Sequence, residues 1–312
     1  HIGTNMLPGI ITRIRSKIIE AGGEIHFNSR VEDLIIKGNR CKGIVLSNLE
    51  IVEAESVILA AGHSAREIYE LLYSKGISIE AKSFAIGVRA EHPQLLIDQI
   101  QYKQPERGPY LPPASYAFVE QVEQRGVYSF CMCPGGIIVP AATAPGEMVV
   151  NGMSPTNRNT RFANSGMVVE VRPEDLNEFR NLGVFAGLEF QRKIERLCFA
   201  LNGNTQFAPA QRMADFVDNR LSQNLPETSY HPGLVSVTLH EKLPRRIRAR
   251  LQEGFKLINA KAKGYLTNEA IVVGVETRTS SPIRIPRNEE TLEQVKISGL
   301  YPLGEGSGYA GG

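Results

Sequence analysis

The chain has 312 residues, 42% of them hydrophobic and 22% charged, with a formal net charge of +2. That length allows about two domains with a large core, and the near-neutral balance gives no argument for nucleic acid or an anionic membrane surface as partner. No apolar run reaches the roughly 18 residues of a membrane span. Four sparse cysteines (Cys41, Cys131, Cys133, Cys198) argue against a disulfide framework and for a reducing, cytoplasmic setting.

In chain order, Leu7, Ile10, Ile11, Ile14, Ile18 and Ile19 recur at helical spacing and predict a helix over 5–22, ended by Gly22-Gly23. Glu24 to Phe27 reads as a short strand. Val31 to Ile36 and Cys41 to Leu46 read as a hairpin through Gly38-Asn39, and Ile51 to Glu53 as a third strand. Val57 to Ala61 is apolar throughout and predicts a buried strand ending at Gly62, with a helix following over 64–73. Beyond Ser83 the spacing predicts a strand at 85–91, a hairpin of 116–122 and 127–133 turning at Gln124-Arg125-Gly126, and strands at 137–139 and 148–151. Helices are predicted at 184–201 and 244–262, loop over 202–236, and a strand at 271–276. Boundaries near 82 and 275 divide the chain into an outer part, 1–82 plus 276–312, and an inserted α+β part, 83–275.

Two glycine turns carry the chemistry. The segment VILAAGH (57–63) ends a strand in small residues, where a ligand can approach the C-terminal strand edge. The segment LYPLGEGSGYAGG (300–312) runs from a strand into Gly304, Glu305, Gly306, Gly308, Gly311 and Gly312. Glycine costs backbone entropy, so such a cluster calls for a reason, and close approach of a flat ligand to bare main chain is one. Gly306, Gly308 and Gly311 match GxGxxG literally. The dinucleotide fingerprint also needs a βαβ unit and a later acid, which do not follow here.

Together these stretches, with RVEDLI (30–35), SFCMCPGG (129–136), NGMS (151–154) and VETRTSSPIRIPR (275–287), resemble bacterial FAD-dependent dehydrogenase-like proteins. Those proteins have a glutathione-reductase-type fold. The resemblance implies an α/β architecture: a partial FAD-binding dinucleotide (Rossmann-like) fold with an inserted α+β domain covering the flavin. It implies FAD as cofactor, held by Val31, Ala61, Gly62, Gly304, Glu305, Gly306, Gly308, Gly311 and Gly312. The usual first strand and GxGxxG would precede His1, a missing N-terminal segment of the same protein. The stretch alone is therefore expected to bind FAD poorly and to be colourless.

The reaction implied is FAD-dependent hydride transfer through flavin N5 with a small-molecule substrate, NAD(P)H being a candidate electron donor. Arg278 and Ser280, in the polar run ETRTSSP, are candidate catalytic residues, Arg278 as a fork for a substrate carboxylate. The alternative for that run is a hydrogen-bonded turn. Cys131 and Cys133 alternate on a predicted strand and so share a face; burial as small hydrophobes is preferred there to a redox role. His63 follows the Gly62 turn, within reach of a cofactor or on the surface. The basic helix at 244–262 reads as a solvated face. Two other functions stay open: a flavin-fold module for binding or assembly without catalysis, and an RNA-modification-related flavoprotein. No metal-ligand spacing occurs.

Overall fold

A computed structural model describes residues 2–203 and 205–310. The strands in chain order are β1 (Val31–Lys37), β2 (Arg40–Leu46), β3 (Ile51–Glu53), β4 (Val57–Leu59), β5 (Glu80–Ala81), β6 (Phe84–Pro93), β7 (Val119–Val122) and β8 (Arg125–Cys133). There follow β9 (Ile137–Pro140), β10 (Val150–Met153), β11 (Phe162–Val171), β12 (Ala208–Arg212), β13 (Leu234–Ser236), β14 (Ile271–Glu276), β15 (Ile283–Arg284) and β16 (Leu300–Pro302). The α-helices are α1 (Leu7–Glu20), α2 (Arg66–Ser74), α3 (Gln94–Tyr102), α4 (Ala186–Ala200), α5 (Met213–Val217), α6 (Leu239–Lys242) and α7 (Arg245–Lys261). None is long and apolar enough to cross a membrane among the described residues. The chain divides into two compact units. One is His1–Leu7, Ala85–Val171 and Phe190–Thr279; the other is Pro8–Phe84, Arg172–Glu189 and Ser280–Gly312.

The first unit is built on a seven-stranded mixed sheet of order β13-β12-β14-β6-β11-β8-β7. All six residues of β14 (IVVGVE) are buried, as are nine of the ten of β6. A strand covered on both faces reads as a continuous apolar run, and β14 obeys that except at its last residue, Glu276. β6 does not. It carries Arg89, Glu91 and His92, all buried, and each has a partner. Arg89 meets Glu276, Glu91 accepts from Thr228 and the Ser229 main chain, and His92 Nε2 donates to the Tyr265 carbonyl at 2.8 Å. Helix α7 lays Ile247, Leu251, Gly254, Phe255 and Ile258 inward at helical spacing, and Gly254 abuts Val127 of β8. Its basic side chains are divided. Arg245 and Arg246 are exposed, whereas Arg250 is buried and pairs with Glu123.

The second unit holds the meander β1-β2-β3, the antiparallel pair β15-β5 and the parallel pair β16-β4. Its core comprises Leu34, Cys41, Tyr69, Leu72, Ile77, Leu188, Ile283, Ile285, Ile297 and Leu300.

Several elements differ from the sequence expectation. Glu24 to Phe27 forms no strand, since it joins no ladder among the described residues. The hairpin turns one to two residues earlier than expected. Val122 pairs with Arg125, leaving Glu123 and Gln124, both at positive φ (48° and 59°), as a two-residue turn that follows the strand twist without glycine. β11, β12 and α3 were not expected. β11 begins with Asn164-Ser165-Gly166 close behind its first residues, a polar start that hides a buried strand, and β12 contains Pro209, which argues against a ladder strand from sequence. β4 is shorter than expected and not fully buried, with Ile58 65% exposed. The apolar stripe of α1 is likewise uncovered among the described residues: the helix has no buried residue.

Candidate functional site

β4 and β16 lie parallel, with Val57 opposite Leu300 and Leu59 opposite Pro302. Both chains leave this pair at the same end, and each turns on a glycine in the left-handed region, Gly62 (φ 76°) and Gly304 (φ 78°). The two turns touch through main chain. A Cβ on Gly306 would stand 2.6 Å from the carbonyl carbon and oxygen of Gly62, so residue 306 has room for glycine alone. A Cβ on Gly62 or Gly304 would meet nothing within 4 Å. The far side of this paired turn is thus open, at the edge where parallel strands accept ligands.

Side chains hold the terminal loop in place. The Tyr69 hydroxyl, on α2, donates to the Gly306 carbonyl at 2.8 Å and lies 3.0 Å from Ser281 Oγ. Burial pushes the Tyr69 phenol up, which keeps it a donor. The Ile285 amide donates to the Ser307 carbonyl at 3.1 Å. His63 Nδ1 and Glu305 Oε2 are 3.0 Å apart, which ties the residue after one glycine turn to the residue after the other. The His63 side chain is 15% exposed and that of Glu305 48%, so the carboxylate still faces solvent.

The structure therefore brings together Gly62, Gly304, Glu305, Gly306 and Gly308, with the exposed Ala61 alongside in the same turn. Val31 stands at the first position of β1, opposite Leu46 in the meander. Gly311 and Gly312 lie outside the described residues. Ser280 is buried. Ser281 lies in the polar run ETRTSSP singled out from sequence, whereas Tyr69 was missed. A tyrosine on the helix after a glycine turn gives no local hint of the carbonyl it reaches more than two hundred residues away.

Arg278 sits in a different setting from the one expected. Its Nε and Nη2 grip Glu195 in a fork (3.1 and 3.0 Å), and Nη2 also meets Glu147 at 2.6 Å. Thr277 Oγ1 donates to the same Glu195 at 2.6 Å. The side chains of Arg278, Glu147 and Glu195 are 8%, 4% and 0% exposed. The guanidinium fork is committed inside the protein, where a substrate carboxylate would have to displace Glu195. Arg278→Ala would withdraw this guanidinium from two buried carboxylates and is expected to cost about 3–5 kcal/mol of stability in urea denaturation. A loss under about 1 kcal/mol would show that the fork is dispensable to the fold.

Residues 83–279 match the family described as FAD-dependent protein, C-terminal domain-like. The match takes in more than half of the chain, and the chain belongs to that family. It is also 45% identical, over 316 residues, to an uncharacterized protein of Clostridium beijerinckii; the alignment takes in 100% of this chain and 58% of that protein. The chain thus spans little more than half the length of this relative. Among solved structures, tetracycline destructase Tet(51) aligns with 56% of this chain and 36% of its own, at 16% identity and a TM-score of 0.24, a level that supports no argument.

The family implies FAD, and the paired glycine turns fit such a group on their own geometry. Bare main chain at the C-terminal ends of two parallel strands, with open space over Gly62 and Gly304, leaves a surface on which a flat ligand can lie.

Proposed function

We propose that this chain is part of an FAD-dependent oxidoreductase. The outer part, 1–82 plus 276–312, would be a Rossmann-like FAD-binding domain and the part between a substrate domain. The observation that carries this reading is the main-chain contact between Gly62 and Gly306, at the shared end of β4 and β16.

Ala61, Gly62, Gly304, Gly306 and Gly308 would present unobstructed backbone to the cofactor, and Val31 would contribute main-chain polar groups from the meander. Glu305, oriented by His63, would accept hydrogen bonds from cofactor hydroxyls. Tyr69 fixes the Gly306 carbonyl, so that the loop meets the ligand already ordered and loses less entropy on binding. When bound, FAD supplies two-electron redox chemistry at flavin N5 with a small-molecule substrate, and NAD(P)H would serve as donor. The protein's share is position and field.

The test is the visible spectrum of the full-length protein. Flavin bands that bleach on adding NAD(P)H are expected. Bands that persist with every reductant tried would favour a binding module, and a preparation that stays colourless after incubation with excess FAD would refute the reading.

A further inference from the structure

Three observations converge on the end of β8. First, β8 and β11 pair at Phe130–Gly166 and again at Cys133–Asn164, so three steps along β8 face two along β11. This is a bulge, and Cys131 within it has a φ of 48°, off the strand conformation. In a regular strand, residues two apart point to one face with their Cα atoms about 6.7 Å apart. The bulge breaks that pattern: Cys131 is exposed and Cys133 buried, which corrects the expectation that both are buried. Even the regular two-residue spacing of about 6.7 Å falls at the upper edge of the range of about 4.4–6.8 Å that a disulfide spans.

Second, Arg89 lies against the pair. It is wholly buried, and its Nη2 donates to the Cys131 carbonyl at 2.6 Å and to Cys133 Sγ at 3.5 Å. The Cys133 thiol in turn donates toward the Cys131 carbonyl at 3.4 Å. Third, Asn164 is wholly buried opposite Cys133 and gives its oxygen to Arg89 Nε, but its Nδ2 has no partner. An unused buried donor beside a thiol held by a cation is costly for a structure that only packs.

We propose that Cys131 and Cys133 form a dithiol centre that reduces an organic disulfide, with Cys131 as the attacking sulfur and Cys133 as the resolving one. The electrostatics agree with the geometry. The hydrogen bond from Cys133, aided by Arg89, brings the Cys131 thiol down to about 6, so that it is largely thiolate near neutral pH. The same bond, followed by burial, pushes Cys133 up and keeps it protonated until needed.

The Cys131 thiolate attacks one sulfur of R–S–S–R′. A Cys131–S–S–R bond forms, the substrate S–S bond breaks, and R′–S⁻ leaves and is protonated. Cys133 then gives its proton to solvent, and its thiolate, facing Arg89 Nη2, attacks Cys131 Sγ. The Cys131–Cys133 disulfide forms, and R–S⁻ leaves and is protonated. Two electrons pass from the dithiol to the substrate, so each chain reduces one disulfide to two thiols. No flavin takes part, and the centre stands or falls independently of the proposed cofactor site.

Oxidised glutathione is the probe, added to the native chain and followed by intact mass and peptide mapping. The expected product has lost two hydrogens, with Cys131 linked to Cys133 and the buried Cys41 and Cys198 unmodified. Cys133→Ser should accumulate one glutathionyl adduct on Cys131, and Cys131→Ser should take up none. Iodoacetamide near pH 7 should alkylate Cys131 about two- to threefold faster than free cysteine, the gain in thiolate being partly offset by its lower nucleophilicity. A wild-type chain that forms no internal link, whether unreacted or carrying a stable adduct, overturns the proposal. A Cys131→Ser chain that consumes the probe as wild type does overturns it too.

Discussion

Arg89→Ala is expected to remove about 3–5 kcal/mol of stability, a large share of the roughly 5–15 kcal/mol that holds a typical domain together. The reason is the number of groups that depend on one guanidinium. Nη1 meets Glu276 at 3.1 Å, Nε meets Asn164 at 2.9 Å, and Nη2 meets the Cys131 carbonyl at 2.6 Å. The Arg89 and Glu276 side chains are 0% and 3% exposed, so neither can recover water when its partner goes. The variant leaves a carboxylate in the middle of the seven-stranded sheet without this cation, and takes a charged donor from both Asn164 Oδ1 and the Cys131 carbonyl. Coulomb attraction alone is not the whole effect. A buried pair pays desolvation for both ions, so replacing both with apolar residues is far milder than removing one. Arg89→Leu combined with Glu276→Leu is therefore expected to be more stable than Arg89→Ala alone. Urea denaturation followed by tyrosine emission suits the measurement, since the chain has no tryptophan. A single-variant loss below about 1 kcal/mol would mean that the pair is far better solvated than its burial indicates.

Gly306→Ala is the second large effect, and it bears on function. The added Cβ would meet Gly62 main chain at 2.6 Å, and no flexible side chain lies there to swing away. One of the two turns must move. Overpacking of this kind costs about 1–3 kcal/mol. If the open surface over Gly62 and Gly304 holds the flavin, the FAD content of the purified full-length protein should fall at least about tenfold, corresponding to about 1.4 kcal/mol of lost binding. Gly304→Ala is the informative comparison. Its Cβ meets nothing within 4 Å, but its φ of 78° disfavours any other residue. With ψ at −160° it lies in a region nearly confined to glycine, so the change should cost about 1–3 kcal/mol in backbone strain while keeping the two turns in contact. Circular dichroism separates loss of fold from loss of cofactor. Full FAD stoichiometry in a folded Gly306→Ala protein would detach the glycine contact from the cofactor site.

Much of this architecture was legible in the chain. β1 and β2 announce themselves by apolar runs around Gly38-Asn39, β14 by IVVGVE, and α7 by apolar residues at helical spacing, because local patterning reflects which face is covered. The glycines at 62, 304 and 306 stood out because a backbone tolerates the entropy cost of clustered glycine only where it must turn sharply or be approached closely. What failed to show was wherever a polar residue is buried with a distant partner. β11 was obscured by Asn164 and Ser165, which are tolerated there because Arg89 donates to one and the Phe130 carbonyl accepts from the other. Arg278 looked like a residue available to a substrate until Glu195 and Glu147 appeared beside it.

Composition, strand and helix patterning, and the two glycine turns were properties of the linear chain, since each depends on residues within a few positions of one another. The partners of Arg89, Arg278, Tyr69 and Cys131 were not. Each lies on a separate strand, helix or loop, or, for Cys131, depends on a bulge that exists only when β8 pairs with β11. Charge pairing and thiol environment are set by three-dimensional distance and burial, which a run of letters does not encode until the sheet has closed.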